Sequence, residues 1–339
     1  MNAKKILKIF SFLFLISLFA CSDDSESNGA SSSGNDDIVT ELDLDSAGKY
    51  YVSGGSEAAL HLRNKMEVLW GHLDSKLAVL GSSRSYNGVD PSLLDESIIA
   101  INLSNIPNSI YVSEYLFKNY LLTQLSQLKY LVISLDLDMW WETDTSSYYN
   151  FFRNDYKKLP GFVYDANHKF WKNGLPEGML EATHSAYNFE FFQETVVGTL
   201  GFCNEACNSW PEEPDVNYDS TWYDVYPECF DNNKKGLERI LALAADNGVT
   251  VIGVIFPMAP NLKNTGSYGR YGIRRSVAPQ LIQQIADLQT KYKNFIFMDE
   301  NKMGDHDYTT DMASNGDHLC GKGAEHFTMR LDSLIKTLK

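Results

Sequence analysis

Five short apolar runs, none alternating with polar residues, limit the fold of this chain more than any other feature: Leu77–Leu80, Ile98–Leu103, Tyr130–Leu135, Val249–Phe256 and Phe295–Met298. A strand with one wet face reads apolar-polar-apolar, whereas an unbroken run suits a strand covered on both faces. Helical spacing fills the intervals. Ser56 stands as N-cap before a stripe of Ala59, Leu60, Leu62, Met66, Leu69 and Leu73. Tyr111 to Leu128 repeats that spacing, and Lys234 to Asp246, Gln280 to Tyr292 and Lys322 to Leu338 read as further helices. Strand and helix in alternation predict a three-layer α/β/α architecture with a parallel sheet of about five strands. The pattern lapses across 142–232, which is rich in aromatics, Asn, Pro and acids. So long an aperiodic stretch is unusual inside a compact domain, so it reads as an insertion over the sheet rim, partly helical around Met179 to Leu200.

The N-terminus carries an address. Lys4, Lys5 and Lys8 precede an apolar segment from Ile9 to Phe19, the pattern of a signal peptide over 1–20. Leu18-Phe19-Ala20-Cys21 resembles a bacterial lipobox, which implies acylation of Cys21 and anchoring in the cell envelope, on the outer membrane or cell surface. The stretch to about residue 40 is dominated by Ser, Asp, Asn and Gly and reads as a flexible tether, leaving 41–339 as the folded domain.

Charge and cysteines narrow the partners. A net charge of −15 argues against nucleic acid and against electrostatic binding to anionic lipid. The 19 tyrosines and 6 tryptophans favour neutral, flat or sugar-like ligands. Beyond Cys21 stand Cys203, Cys207, Cys229 and Cys320, an even number that suggests two disulfides in an exported protein. Cys203 and Cys207 are close enough to pair locally, but three connectivities are open. No second Cys or His pair has zinc-ligand spacing, and neither a metal nor a cofactor is expected.

The ends of the apolar runs carry the chemistry. In an open parallel sheet, ligands bind beyond the carboxyl ends of the strands. The first run ends in Gly81-Ser82-Ser83-Arg84, and the segment before the last helix holds Asn315, Asp317 and His318. A serine hydroxyl becomes a useful nucleophile once a base takes its proton, and histidine suits that role near neutral pH. His306, between two aspartates, reads as a hydrogen-bonded loop residue. Trp140 and Trp141, past the third run, are core residues or a sugar-stacking platform. Arg84 either binds a substrate anion or pairs with a local acid.

The Gly81-Ser82-Ser83-Arg84 block, together with Asn315-Gly316-Asp317-His318-Leu319 and Gly323-Ala324, resembles the SGNH (GDSL-type) hydrolase superfamily, in a membrane-associated branch whose first block reads Gly-Ser-Ser-Arg. The resemblance covers roughly residues 75 to 339 apart from the insertion. It implies a flavodoxin-like fold, Ser83 as nucleophile, His318 as base, and Asp317 or Asn315 orienting the ring. It also implies an oxyanion hole built from the Ser83 N–H and further donors beyond the second and third strands. Here the chain departs from the family: the usual acid position, three before the histidine, is Asn315, and Pro107 after the second strand has no N–H. Ser104 or Asn105 is left as second donor. Two expectations follow: a lipid-anchored serine esterase or O-acyltransferase acting on an O-acylated carbohydrate, acetyl being the favoured acyl group; or a catalytically degenerate domain that binds cell-surface or plant glycan or a protein partner.

Overall fold

The computed structural model describes residues 65–66, 68–105, 108–141, 196, 198–216 and 222–338. The signal segment, Cys21, the tether, the Ser56 cap, Pro107 and most of the 142–232 insertion, including the helix expected around Met179, lie outside the described residues.

The strands fall where the apolar runs are. They are β1 (Leu77–Leu80), β2 (Ala100–Asn102), β3 (Tyr130–Ser134), β4 (Thr250–Ile255), the short pair β5 (Ser267–Gly269) and β6 (Gly272–Arg274), and β7 (Phe295–Asp299). β1, β2, β3, β4 and β7 form one parallel sheet in the order β2-β1-β3-β4-β7, and β5 and β6 pair antiparallel as a separate hairpin. β1 and β3 are buried at every position, which explains their lack of alternation. β7 is an edge strand and only partly covered.

Five helices matter for the site: α1 (Ser83–Gly88), α2 (Ile110–Leu116), α3 (Glu228–Asp246), α4 (Ala278–Ala286) and α5 (Gly321–Lys336). α1 packs against α5, and α2 packs against α3. Lys234 on α3 donates to Gln284 on α4 at 2.6 Å, so these two share a face. The chain steps from β1 outward to β2 and from β3 the other way to β4 and β7; with the right-handed crossovers that parallel strands favour, this order puts helices on both faces and makes three layers. The direction reverses between β1 and β3, so the crevice that such sheets use for ligands opens above those two strand ends.

The structure also revises several boundaries. α3 begins at Glu228, inside the stretch read as insertion, and is preceded by a helical turn at Trp222–Val225. The Tyr111 to Leu128 helix is interrupted by a π-turn at Phe117–Leu121. Leu73, placed on an apolar stripe, is 48% exposed. The β5–β6 hairpin leaves no mark in the apolar pattern, because its strands are three residues each and hold no apolar run.

The cysteines pair across the chain. Cys207 is bonded to Cys320 over a separation of 113 residues, while neither Cys203 nor Cys229 is in a disulfide, so the expected second disulfide is absent among the described residues. Cys203 is tied instead to α1. Its N–H donates to the Tyr86 carbonyl at 3.2 Å, and its own carbonyl accepts from Asn87 Nδ2 at 3.1 Å.

Candidate active site

Gly81 turns the chain off β1. Its φ of +152° disfavours a side chain, and a Cβ there would fall against Ser85 Oγ and Ser134 Cβ. Ser82 then caps α1, accepting from the Arg84 N–H at 3.2 Å. Two adjacent serines are thereby sent in different directions. The Ser82 hydroxyl donates to the buried Asp136 carboxylate at the end of β3, whereas Ser83 Oγ stands 2.7 Å from His318 Nε2.

His318 arrives on a small closed loop. Ala313 and Leu319 form an isolated bridge, and the Ser314 N–H donates back to the His318 carbonyl at 2.9 Å. Within the loop, Asn315 Oδ1 takes three N–H groups: Asp317 N at 2.9 Å, His318 N at 3.1 Å and His318 Nδ1 at 3.0 Å. Two of these are backbone donors and can only donate, so the Asn315 atom facing them is the oxygen. His318 Nδ1 must then carry its proton, and Nε2 is the acceptor that faces Ser83. Asn315 thus holds the tautomer that a base requires, although it brings no charge to stabilise an imidazolium. Burial pulls the His318 pKa below its ordinary value, against the neighbouring Asp317 charge, and favours the neutral ring.

Asp317 does not reach the ring nitrogen; its carboxylate goes to arginines. Arg84 donates to both oxygens of Asp138 (2.6 and 2.8 Å) and to Asp317 at 3.0 Å, and Arg270 reaches Asp317 at 3.4 Å. Arg84 is 4% exposed and Asp138 is fully buried. Of the two alternatives for Arg84, pairing with local acids is the one realised in the structure. Burial would lift the Asp317 carboxyl, but Arg84, with His318 and Arg270 added, outweighs it and holds the group below the usual carboxylate range. Gly269 on β5 lies so close to Asp138 that a Cβ would sit 2.5 Å from Oδ2, so the hairpin is pressed onto this ion pair.

For an oxyanion hole the positions differ from expectation. The Ser83 N–H occupies the first turn of α1, where no intrahelical acceptor exists. The other candidates are already engaged through their backbones. Ser104 N donates to Asn102 Oδ1 at 3.0 Å, and Asn105 N donates to the Gly81 carbonyl at 2.8 Å. The Ser104 hydroxyl is bonded to Ser85 Oγ at 2.8 Å, which removes Ser104 as a donor. Only the Asn105 side-chain amide is left, through Nδ2; its residue is 3% exposed.

The tryptophans separate. Trp140 is 4% exposed and packs on Phe230 with ring centroids 5.5 Å apart, so it is a core residue and not a stacking platform. Trp141 is 37% exposed. His306 Nε2 lies 2.7 Å from the Met258 carbonyl, the loop role expected of it. Sequence reasoning missed Asp138, Glu205 and Arg270 as supports. Glu205 accepts from Ser314 Oγ at 2.6 Å, and its carbonyl accepts from the Gly321 N–H at 3.2 Å. Together with the Cys207–Cys320 bond, these contacts fasten the 203–216 loop to the segment that carries His318. No signal in the sequence marks such pairings, since the partners stand more than a hundred residues apart.

No protein-family model matches the chain, and no curated protein matches it. Among solved structures it is similar to a "putative acylhydrolase" from Bacteroides fragilis, at 13% identity and a TM-score of 0.39, with 84% of this chain and 100% of that one covered. A likeness at that level carries no argument about activity.

Proposed function

We propose that the chain is a lipid-anchored serine esterase or O-acyltransferase of the SGNH type, acting on an O-acetylated carbohydrate in the cell envelope. The observation that carries the reading is the array Ser83 Oγ–His318 Nε2 at 2.7 Å and His318 Nδ1–Asn315 Oδ1 at 3.0 Å, with the tautomer set by Asn315. The lipobox-like Leu18-Phe19-Ala20-Cys21 supports the anchor.

In this reading Ser83 Oγ attacks the ester carbonyl carbon while its proton passes to His318 Nε2. The carbonyl oxygen becomes an oxyanion facing the Ser83 N–H and the Asn105 amide. As the bond to the alcohol breaks, His318 returns the proton to the leaving oxygen. Water, or a second sugar hydroxyl, then gives its proton to His318 and attacks the acyl-serine; the bond to Ser83 Oγ breaks, His318 returns that proton to Oγ, and acetate or the transferred ester leaves.

A second reading has specific support. The ring lacks a carboxylate partner, and the backbone N–H groups of Ser104 and Asn105 are spent, which suits a domain that binds glycan without chemistry. Fluorophosphonate labelling of the full chain in detergent, followed by peptide mass spectrometry, separates the two. An adduct on Ser83 is expected; a folded protein that stays unlabelled would move the assignment to the binding module.

A further inference from the structure

A cavity of about 280 Å3 opens beside the histidine; His318 lines it and Ser83 does not. Its walls include His318, Asn315 and Asp317 from the catalytic loop, Arg270 from the β5–β6 hairpin, Asp215 from the 198–216 segment and Leu262. Neither the Ser83–His318 pair nor the buried Arg84–Asp138 pair explains why these separate segments converge there.

Reaction geometry assigns the space. The base that takes the serine proton must deliver it to the alcohol oxygen, so that oxygen comes within hydrogen-bond reach of His318 Nε2. The rest of the alcohol half then extends into whichever cavity His318 borders. At about 280 Å3 the cavity lies near the lower end of the range of about 300–1,000 Å3 typical of small-ligand pockets, room for about one sugar ring.

The charges point to what kind of ring. Arg270 Nε is paired with Asp215 at 2.8 Å, and its Nη1 with Asp317 at 3.4 Å. The Arg270 and Asp215 side chains are 39% and 57% exposed, so both can turn a hydrogen-bonding edge to a ligand. A neutral hydroxyl can accept from Arg270 or donate to Asp215 without leaving either charge unpaired. A carboxylate would face Asp215 and Asp317 across the same space. Leu262 and Ala259 provide an apolar patch for the C–H face of a ring.

We infer that this cavity is the subsite for the alcohol half of the ester, that it takes a single neutral pyranose ring, and that Arg270 and Asp215 determine that preference. The inference rests on the esterase reading, and it names the half of the substrate which that reading leaves open.

The test compares kcat/KM of the full-length protein on three acetate esters: an O-acetylated methyl glucopyranoside, the corresponding methyl glucuronoside, and ethyl acetate. The neutral glycoside is expected to lead ethyl acetate by about tenfold or more, with the uronoside no better than ethyl acetate. Arg270→Ala and the milder Asp215→Asn are each expected to reduce that lead at least severalfold. An intact lead in both variants, or a preference for the uronoside, overturns the inference. Calorimetry with the unacetylated methyl glucopyranoside keeps the subsite testable if no ester turns over. Binding that weakens in Asp215→Asn supports the subsite even when Ser83 proves inert, and no binding in wild type sinks it even when Ser83 labels.

Discussion

The Ser83–His318–Asn315 array and the Arg84–Asp138–Asp317 cluster are built from neighbouring residues, yet they differ in almost every physical respect. Ser83 and His318 are half-buried and joined by hydrogen bonds between neutral groups. One position away on each segment, Arg84 and Asp317 are buried and carry full charges. Burial would push the Arg84 guanidinium down, but Asp138 and Asp317 keep it above its ordinary value. The contrast shows how the two tasks divide. A nucleophile and its base need access and a proton that moves, while the loops that hold them need a cross-link that does not. A buried charge is tolerable only when paired, so the cluster locks the β1 turn, the β3 end and the histidine loop into one arrangement.

Breaking the array should produce the largest effect. Ser83→Ala is expected to reduce turnover of a small acetyl ester by at least about a thousandfold while thermal melting stays near wild type. Ser82→Ala, one residue away, removes a donor to Asp136 and no reacting atom. If the two alanine variants lost activity equally, the division between adjacent serines would be wrong.

Breaking the cluster should act on stability first. Arg84→Met leaves Asp138 buried without its cation and Asp317 with only the more distant Arg270, and a loss of about 3–5 kcal/mol in urea unfolding is expected. Arg84→Lys tests the geometry, since an ammonium cannot make the two-pronged contact with Asp138. Full stability in both variants would show that the cluster is not the cross-link described here.

A third prediction concerns the covalent link between the two loops. The Cys207–Cys320 bond closes 113 residues of chain beside the histidine segment. Its loss in Cys207→Ser is expected to destabilise by about 2–5 kcal/mol. Turnover should fall more than the accessibility of Ser83 to a small fluorophosphonate, because the disulfide holds the base's loop and not the nucleophile's turn. A variant with unchanged kcat would detach the disulfide from the site.

The parts legible in the sequence share one property: they are local. Unbroken apolar runs mark buried strands, and a glycine-serine pair after such a run marks a rim. Asn315 and His318, three residues apart, are visible as a unit, although the three donors converging on Asn315 Oδ1 are not. What escapes is long-range. Arg84 meets its acids across separations of 54 and 233 residues, and Cys207 finds Cys320 rather than the nearby Cys203. Trp140 stands just beyond the rim acid Asp136 and turns inward onto Phe230 of α3. That helix begins at Glu228, inside the aperiodic stretch, where no periodicity announces a packing partner.

The smallest effect, and the sharpest test of the comparison, is on pH dependence. His318 must be neutral to accept the serine proton, so kcat/KM should rise with pH along one acid limb and then level off. Burial holds the His318 pKa below its ordinary value, with the Asp317 charge opposing, so the limb should lie on the acid side of the usual histidine range. Asn315→Asp puts a carboxylate against Nδ1–H, favours the imidazolium and should move the limb to higher pH. Asp317→Asn removes the opposing charge and should move it lower, while Arg84 keeps its two bonds to Asp138. Opposite shifts would show that one neighbour sets the tautomer and the other supplies the field. If both variants shifted the limb the same way, Asp317 would be acting through the position of the loop, and the array and the cluster would be one mechanical unit.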